Sequence, residues 1–218
     1  MLQSLSLNKP QLSVIMTKPT YKTANQAVTE GPVQFLRSLF PKDDERYVSQ
    51  PSTVDPDDMN AYDMESVQAI RANNVKKLRE LLDNRKSFDA CNRNGETLLH
   101  LACRRGNLST VKFLIEEAQV RTDVCDDMGR TVLHDVCWRP TPDLDLMDYL
   151  IRVLSPDVLL AADRRGHTPF DYARREHWSE WMKFLQDRQD LIERRVMIVD
   201  TFLSASQEEK YTSLHSQS

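Results

Sequence analysis

The stretch NRNGETLLHLACRRGNLSTVKFLI, residues 92–115, decides the fold, because its scheme recurs downstream. Gly95, Gly129 and Gly166 stand 34 and 37 residues apart, and each is followed two residues later by a threonine, Thr97, Thr131 or Thr168. A period of that length, carrying a turn glycine and then two apolar helical faces, marks a stacked repeat array. Within the stretch, Asn92 to Gly95 reads as the turn and Thr97 as the cap of a first helix burying Leu98, Leu99, Leu101 and Ala102. Gly106 ends that helix, and Asn107 caps a second one that buries Leu108, Val111, Leu114 and Ile115.

Working outward, DDMGRTVLHDVC repeats the scheme, but WRPTPDLDLMDYLI lengthens the following turn by two residues and lacks its glycine. There Thr141 is expected to cap the next helix with Pro142 in its first position, and Asp143 and Asp145 suit its N-terminus. Ser155 and Pro156 open a short helical piece. The fourth unit, DRRGHTPFDYARREHWSEWMKFLQ, buries Phe170, Ala173, Trp178, Trp181, Met182 and Leu185. Before residue 92, MESVQAIRANN and VKKLRELLDNR form two antiparallel helices joined at Asn73 and Asn74, a degenerate first unit without a glycine turn. Loss of the motif at an end suits a terminal repeat, whose outer face must be polar.

The flanks are poorer in spaced apolar residues. Residues 1–58 are expected to form a disordered arm, with one amphipathic island at 32–41 where Val33, Leu36, Leu39 and Phe40 share a helical face. That island suits either a partner's groove or the chain's own repeats. The repeat domain then covers 59–187. Ile192, Val196, Val199 and Leu203 recur at helical spacing in 188–204, a helix that caps the last repeat or, over less than three heptads, dimerises. Residues 205–218 read as a frayed tail.

With 40% apolar and 28% charged residues the composition is that of a soluble protein. A net charge of −4 gives the whole chain no reason to seek nucleic acid or an anionic membrane. No apolar run approaches a membrane span, and the N-terminus lacks a continuous apolar core for a secretory signal. Cys91 and Cys125, like Cys103 and Cys137, are one repeat position occurring twice. Stacked helices lie too far apart for a disulfide, so all four read as reduced thiols of an intracellular protein, cytoplasmic or nuclear. Residues 1–29, with Lys9, Lys18 and Lys22 but no acid and no arginine, leave an organelle address open.

TLLHLA, TVLHDV and TPFDYA resemble the Thr-Pro-Leu-His-x-Ala signature of the ankyrin repeat. The resemblance covers about 63–187 and implies an all-α ankyrin-repeat solenoid of stacked helix-turn-helix units with short hairpin loops. Leu98 and Val132 replace its proline, Asp171 its histidine, and Pro140 and His177 its glycine between helices. The resemblance also implies that partners are held on the concave side, by the hairpin tips and the last exposed positions of each first helix. Those positions are Arg71 and Ala72, then Arg93, Asn94, Glu96, Arg104 and Arg105. The third unit adds Asp127, Met128, Arg130, Trp138 and Arg139, and the fourth Arg164, Arg165, His167, Arg175 and Glu176. Nine are arginine and three acidic, a surplus of six positive charges in an acidic chain.

Arginine pairs bidentately with carboxylate or phosphate and stacks on aromatic rings. Trp138, expected between Arg104 and Arg175, gives the face the composition of a hot spot. The expected function is therefore a non-enzymatic, monomeric adaptor for an acidic or phosphorylated protein partner. The runner-up is a nucleic-acid-associated regulator whose arginines touch phosphates. A third reading has the acidic residues of 43–58 folding back over the basic face. His100 with Cys103 and His134 with Cys137 offer the four donors of a tetrahedral zinc site. The resemblance instead gives the histidines to backbone bonding between repeats and the cysteines to small buried positions, so no metal or cofactor is expected. His134, Asp135 and the other aspartates read as solvated tips and caps. No nucleophile, phosphate-loop or metalloprotease motif is present.

Overall fold

The computed structural model describes residues 31–40, 56–199 and 201. Among the described residues the chain is helical and without a strand. Isolated bridges join Cys91 to Thr97 and Cys125 to Thr131 at the bases of two hairpin tips. Helix α1 is Pro32–Leu39, α2 Pro56–Ala61, α3 Met64–Arg71, α4 Val75–Asp83, α5 Leu98–Arg105, α6 Leu108–Lys112, α7 Val132–Cys137, α8 Leu144–Val153 and α9 Trp178–Gln186. A π-helical turn, Phe113–Glu117, continues α6. A last helix, α10, runs over 189–199. The chain is an all-α stack of helix pairs. Its closest approaches run through the first helices α3, α5 and α7. The first-helix side is therefore the tighter, concave one.

Local chemistry explains each pair. In the first repeat Asp63 accepts from the backbone N–H of Glu65 at 2.8 Å and of Ser66 at 3.0 Å, capping α3. Asn73 turns the chain at φ 51°, as Gly106 does at φ 70° one repeat later. Asparagine is among the few residues with a side chain that visits this region readily. Its side-chain oxygen accepts from Ser109 and Thr110 of the second repeat, so the degenerate first repeat is tied to its neighbour. Asn74 caps α4 by accepting from Lys77 N–H at 3.0 Å.

Three local expectations are corrected. Asn107 stands before α6 without capping it; its amide donates to the Ile70 carbonyl at 2.8 Å, a second bond on an oxygen that already accepts from Asn73 N–H at 3.0 Å, and so ties the second repeat to the first. The cap of α8 is Asp143, which accepts from Leu146 N–H at 3.2 Å, and Thr141 lies outside the helix. A carboxylate there also complements the helix dipole. The first helix of the fourth repeat shrinks to a 3₁₀ turn, Pro169–Tyr172, followed by another, Arg175–His177. Ala173 is extended, and its carbonyl is taken by the Trp178 indole N–H at 3.1 Å, which a continuing helix would have used for its own backbone.

The fourth-repeat end of the stack is covered by the chain itself. Within the stretch read as a disordered arm, 32–39 and 56–61 are helical. Helix α1 packs on α9 and on the Pro169 turn, burying Val33, Leu36 and Phe40 in the common core. A Cβ at Gly31 would come within 2.8 Å of the Trp178 ring, so glycine permits this approach. Of its two expected destinations, α1 occupies the one on its own repeats. Helix α10 buries Ile192 and Val196 against the core, and Arg195 donates to the Leu154 carbonyl at 2.7 Å. Residues 1–30, 41–55, 200 and 202–218 lie outside the described residues, and with them the tail and Leu203.

Candidate functional site

The hairpin tips are built by one position, three residues before each glycine. Asn92 accepts from Asn94 and Glu96 N–H, Asp126 from Met128 and Arg130 N–H, and Asp163 from Arg165 and His167 N–H, all at 2.8–3.1 Å. Neighbouring tips are joined by backbone bonds of 2.9 Å from Asp127 N–H to the Asn94 carbonyl and from Arg164 N–H to the Met128 carbonyl. His100 Nδ1 accepts from Thr97 N–H at 3.2 Å, which leaves the proton on Nε2, and Nε2 donates to the Arg130 carbonyl at 3.0 Å. His134 does the same with Thr131 N–H and the His167 carbonyl, at 3.0 and 3.1 Å. Both nitrogens of each ring are thus committed, Nδ1 to the start of its own helix and Nε2 to the following repeat. Burial lowers the His134 pKa and keeps it neutral, and burial pushes the Cys103 and Cys137 thiols up. Among the described residues no cluster of three or more His, Cys, Asp or Glu is arranged for a metal ion.

Beside the tips, on the concave side, lies a cleft of about 210 Å³ lined by Glu96, Arg104, Arg130, His134, Asp135, Trp138 and Tyr172. Arg104 Nε donates to Asp135 at 2.8 Å, and its terminal nitrogen bonds Glu96. Arg130 donates to Asp126 at 2.7 Å and approaches Glu96 at 3.8 Å. Burial opposes the charge on Arg104, but Asp135 and Glu96 outweigh it and hold its pKa above the usual guanidinium range. Burial raises the pKa of Asp135, only 8% exposed, against the pull of Arg104. Trp138 is 60% exposed and its ring tilts over Tyr172 at 5.3 Å. Tyr172 is fixed from behind by its hydroxyl, which donates to Asp163 at 2.5 Å. Burial and that carboxylate push its pKa up to about 12.

The structure sorts the expected face into three groups. Glu96, Arg104, Arg130 and Trp138 meet in the cleft. Asn94, Met128 and His167 form the tip edge beside it, with His167 edge-on to Tyr172 at 6.0 Å. Arg71, Arg93, Arg105, Arg164 and Arg165 are exposed, and no ion pair holds them among the described residues. Two arginines are committed elsewhere. Arg139 lies over Gly106, donates to the Arg104 carbonyl at 3.1 Å and comes within 3.5 Å of Asp143. Arg175 does not flank Trp138; with the fourth first helix reduced to one turn, its guanidinium sits 5.6 Å over Trp178.

The family model for ankyrin repeats (3 copies) matches residues 66–158. Residues 66–158 of the chain are ankyrin repeats. No curated protein matches it. Ankyrin repeats are in general protein–protein interaction modules, and proteins built of them are typically not enzymes. The match ends before the fourth tip, where the structure departs from the regular ankyrin unit by replacing a helix with a 3₁₀ turn. Among the described residues no helix is long and apolar enough to cross a membrane.

Ankyrin register also exposes what the sequence reading missed. The residue seven places after one repeat's threonine meets the residue four places after the next: Arg104 meets Asp135, and Trp138 meets Tyr172. Two of the tip aspartates read as solvated are buried, Asp126 at 2% and Asp163 at 5% exposure. Counting them and Asp135, the face carries six acids against nine arginines, half the surplus expected. The signal was present as a 31- or 34-residue separation of complementary side chains, but it is meaningful only once first helices are known to stack. Asp58, within the acidic stretch expected to fold over this face, instead pairs with Arg121 at 2.6 Å; residues 41–55 lie outside the described residues.

Proposed function

We propose that the chain is a non-enzymatic adaptor whose concave ankyrin face holds an acidic or phosphorylated segment of a protein partner, with Trp138 as its anchor. The observation that carries this reading is Trp138 itself, 60% exposed on a rigid helix end and stacked on Tyr172 beside a polar cleft. An exposed tryptophan costs solvation, and its ring is held ready with little entropy left to lose on binding. Arg93, Arg164 and Arg165 stand exposed on the tips as donors not committed to an acid of the chain among the described residues. Arg104 and Arg130 contribute shape and the position of Glu96 more than charge, since their own acids neutralise them. That pairing favours a protein over nucleic acid, whose affinity would rest on the number of unpaired cations.

The test is quantitative capture from a native cell extract by the full chain, Trp138→Ala, and Arg164→Glu with Arg165→Glu. Trp138→Ala is expected to lose the partner at least about tenfold while leaving the melting temperature unchanged, as for a hot-spot ring with little buried area. Phosphatase treatment of the extract separates a phosphorylated partner from an acidic one. Capture of the same partners in the same amounts by all three proteins would overturn the reading.

A further inference from the structure

The three tips carry one ladder, and it stops in mid-air. Asp127 N–H closes on the Asn94 carbonyl and Arg164 N–H on the Met128 carbonyl, so the next acceptor in register is the Arg165 carbonyl, two residues after Asp163. Among the described residues nothing donates to it. The glycines record the same difference. A Cβ at Gly95 would stand 3.2 Å from the Asp127 backbone and one at Gly129 3.4 Å from the Arg164 backbone, whereas at Gly166 it would meet nothing within 4 Å. Gly95 and Gly129 are buried and Gly166 is exposed. The inter-repeat donor is lost too: where His100 and His134 reach the following tip, the fourth repeat has Asp171, whose carboxylate turns back to Thr168 N–H at 2.7 Å. Helices α1 and α10 pack on the apolar core at the fourth-repeat end of the stack, yet among the described residues nothing lies against the tip edge at Gly166.

We infer that this open edge, the Arg165 carbonyl and Gly166 flanked by Arg164, Arg165 and His167, is a docking site for an extended acidic segment of a partner protein, which donates a backbone N–H where a fifth tip would. The inference rests on the proposed function and gives it a place and a mode, strand-like backbone pairing with side-chain recognition beside it. A partner N–H can replace water on this exposed carbonyl and continue the ladder, and the two exposed arginines beside it select acids. Self-association is the competing occupant, since Arg93 N–H, at the other end of the ladder, has no acceptor among the described residues. Head-to-tail stacking of two copies would bring Arg93 against Arg164 and Arg165. That like-charge contact disfavours a second copy and favours an acidic partner.

The experiment uses the full chain, ¹⁵N-labelled, with a fluorescein-labelled peptide of alternating Glu and Thr and with the same peptide N-methylated at every Thr. The amide of Gly166 follows the Arg165 carbonyl in the chain, so its resonance reports a new bond to that oxygen. The expected result is a large shift at Gly166 and affinity for the parent peptide about fivefold above the N-methylated one, the scale of one net hydrogen bond. Arg164→Glu with Arg165→Glu should abolish both, with the remaining spectrum unchanged as the control for folding. Equal binding of the two peptides, with shifts at the Trp138 indole but none at Gly166, would overturn the open-edge site and leave the Trp138 face standing. Absence of any shift at millimolar peptide would overturn both. Concentration-dependent shifts without peptide at Arg93 and Gly166 would assign the edge to a second copy and overturn the inference.

Discussion

The second and third repeats have a neighbour on both sides; the fourth has one on a single side. All three share the turn glycine and its threonine, yet their chemistry diverges with their surroundings. Gly95 and Gly129 are pressed against the following tip, and His100 and His134 bond to it. Gly166 faces open space, Asp171 bonds only within its own turn, and the first helix shortens to Pro169–Tyr172. The same contrast separates two arginines. Arg104 is spent on Asp135 and Glu96 inside the stack, while Arg164 at the last tip pairs with no acid among the described residues. Positions that hold an inner repeat to its neighbour make no such contact at the last tip among the described residues.

The comparison breaks if the fourth repeat is merely an appendage. Leu99, Leu133 and Phe170 occupy one repeat position and all are buried. Leu133→Ala and Phe170→Ala are each expected to cost about 3–4 kcal/mol in urea unfolding, with one transition in both cases. A cost under about 1 kcal/mol for Phe170→Ala would detach the fourth repeat from the cooperative unit. The arginine contrast is the next largest. Arg104→Ala strands Asp135 and should cost about 2 kcal/mol, less than a fully buried pair because the guanidinium still touches water. Arg164→Ala should stay within about 0.5 kcal/mol. Equal losses would place Arg164 in the fold and remove it from the binding edge.

A finer test compares the glycines. All have positive φ, so any Cβ strains each turn by about 1 kcal/mol. Gly95→Ala also crowds the Asp127 backbone, and should therefore cost about 1 kcal/mol more than Gly166→Ala. The smallest effect is in pH. His134 has a pKa lowered in the fold by burial, so the unfolded chain takes up its proton first as pH falls. Its contribution is present above the unfolded value of about 6.5 and is lost below it, with a slope of at most about 1.4 kcal/mol per pH unit. His134→Asn should flatten the loss of stability between pH 7 and 5, whatever its effect at pH 7. An unchanged slope would mean that the ring is not held neutral.

Much of this was legible in the letters. The repeat register and the helix pairs of the first three repeats follow from a period near 34 residues, because the period repeats turn, cap and apolar face together; the buried positions of the thiols and the binding role are what the ankyrin resemblance implies. Trp138 was legible as an exposed ring, being aromatic at a position the register puts at the end of a first helix. The partners of the charges were not. Asp135 looks like any helical aspartate until α5 and α7 are stacked, and Arg175 looks equivalent to Arg104 until the Trp178 indole takes the Ala173 carbonyl and turns the chain.

By itself the sequence determined which residues repeat, because hydrophobic spacing, capping and positive-φ turns act within a few residues of one another. Which repeats have a neighbour was decided by the tertiary structure alone. Ion pairs across 31 residues, a ring stacked across 34 and a backbone ladder that ends at Arg165 all depend on distances between separate units, and those distances exist only after the stack has closed.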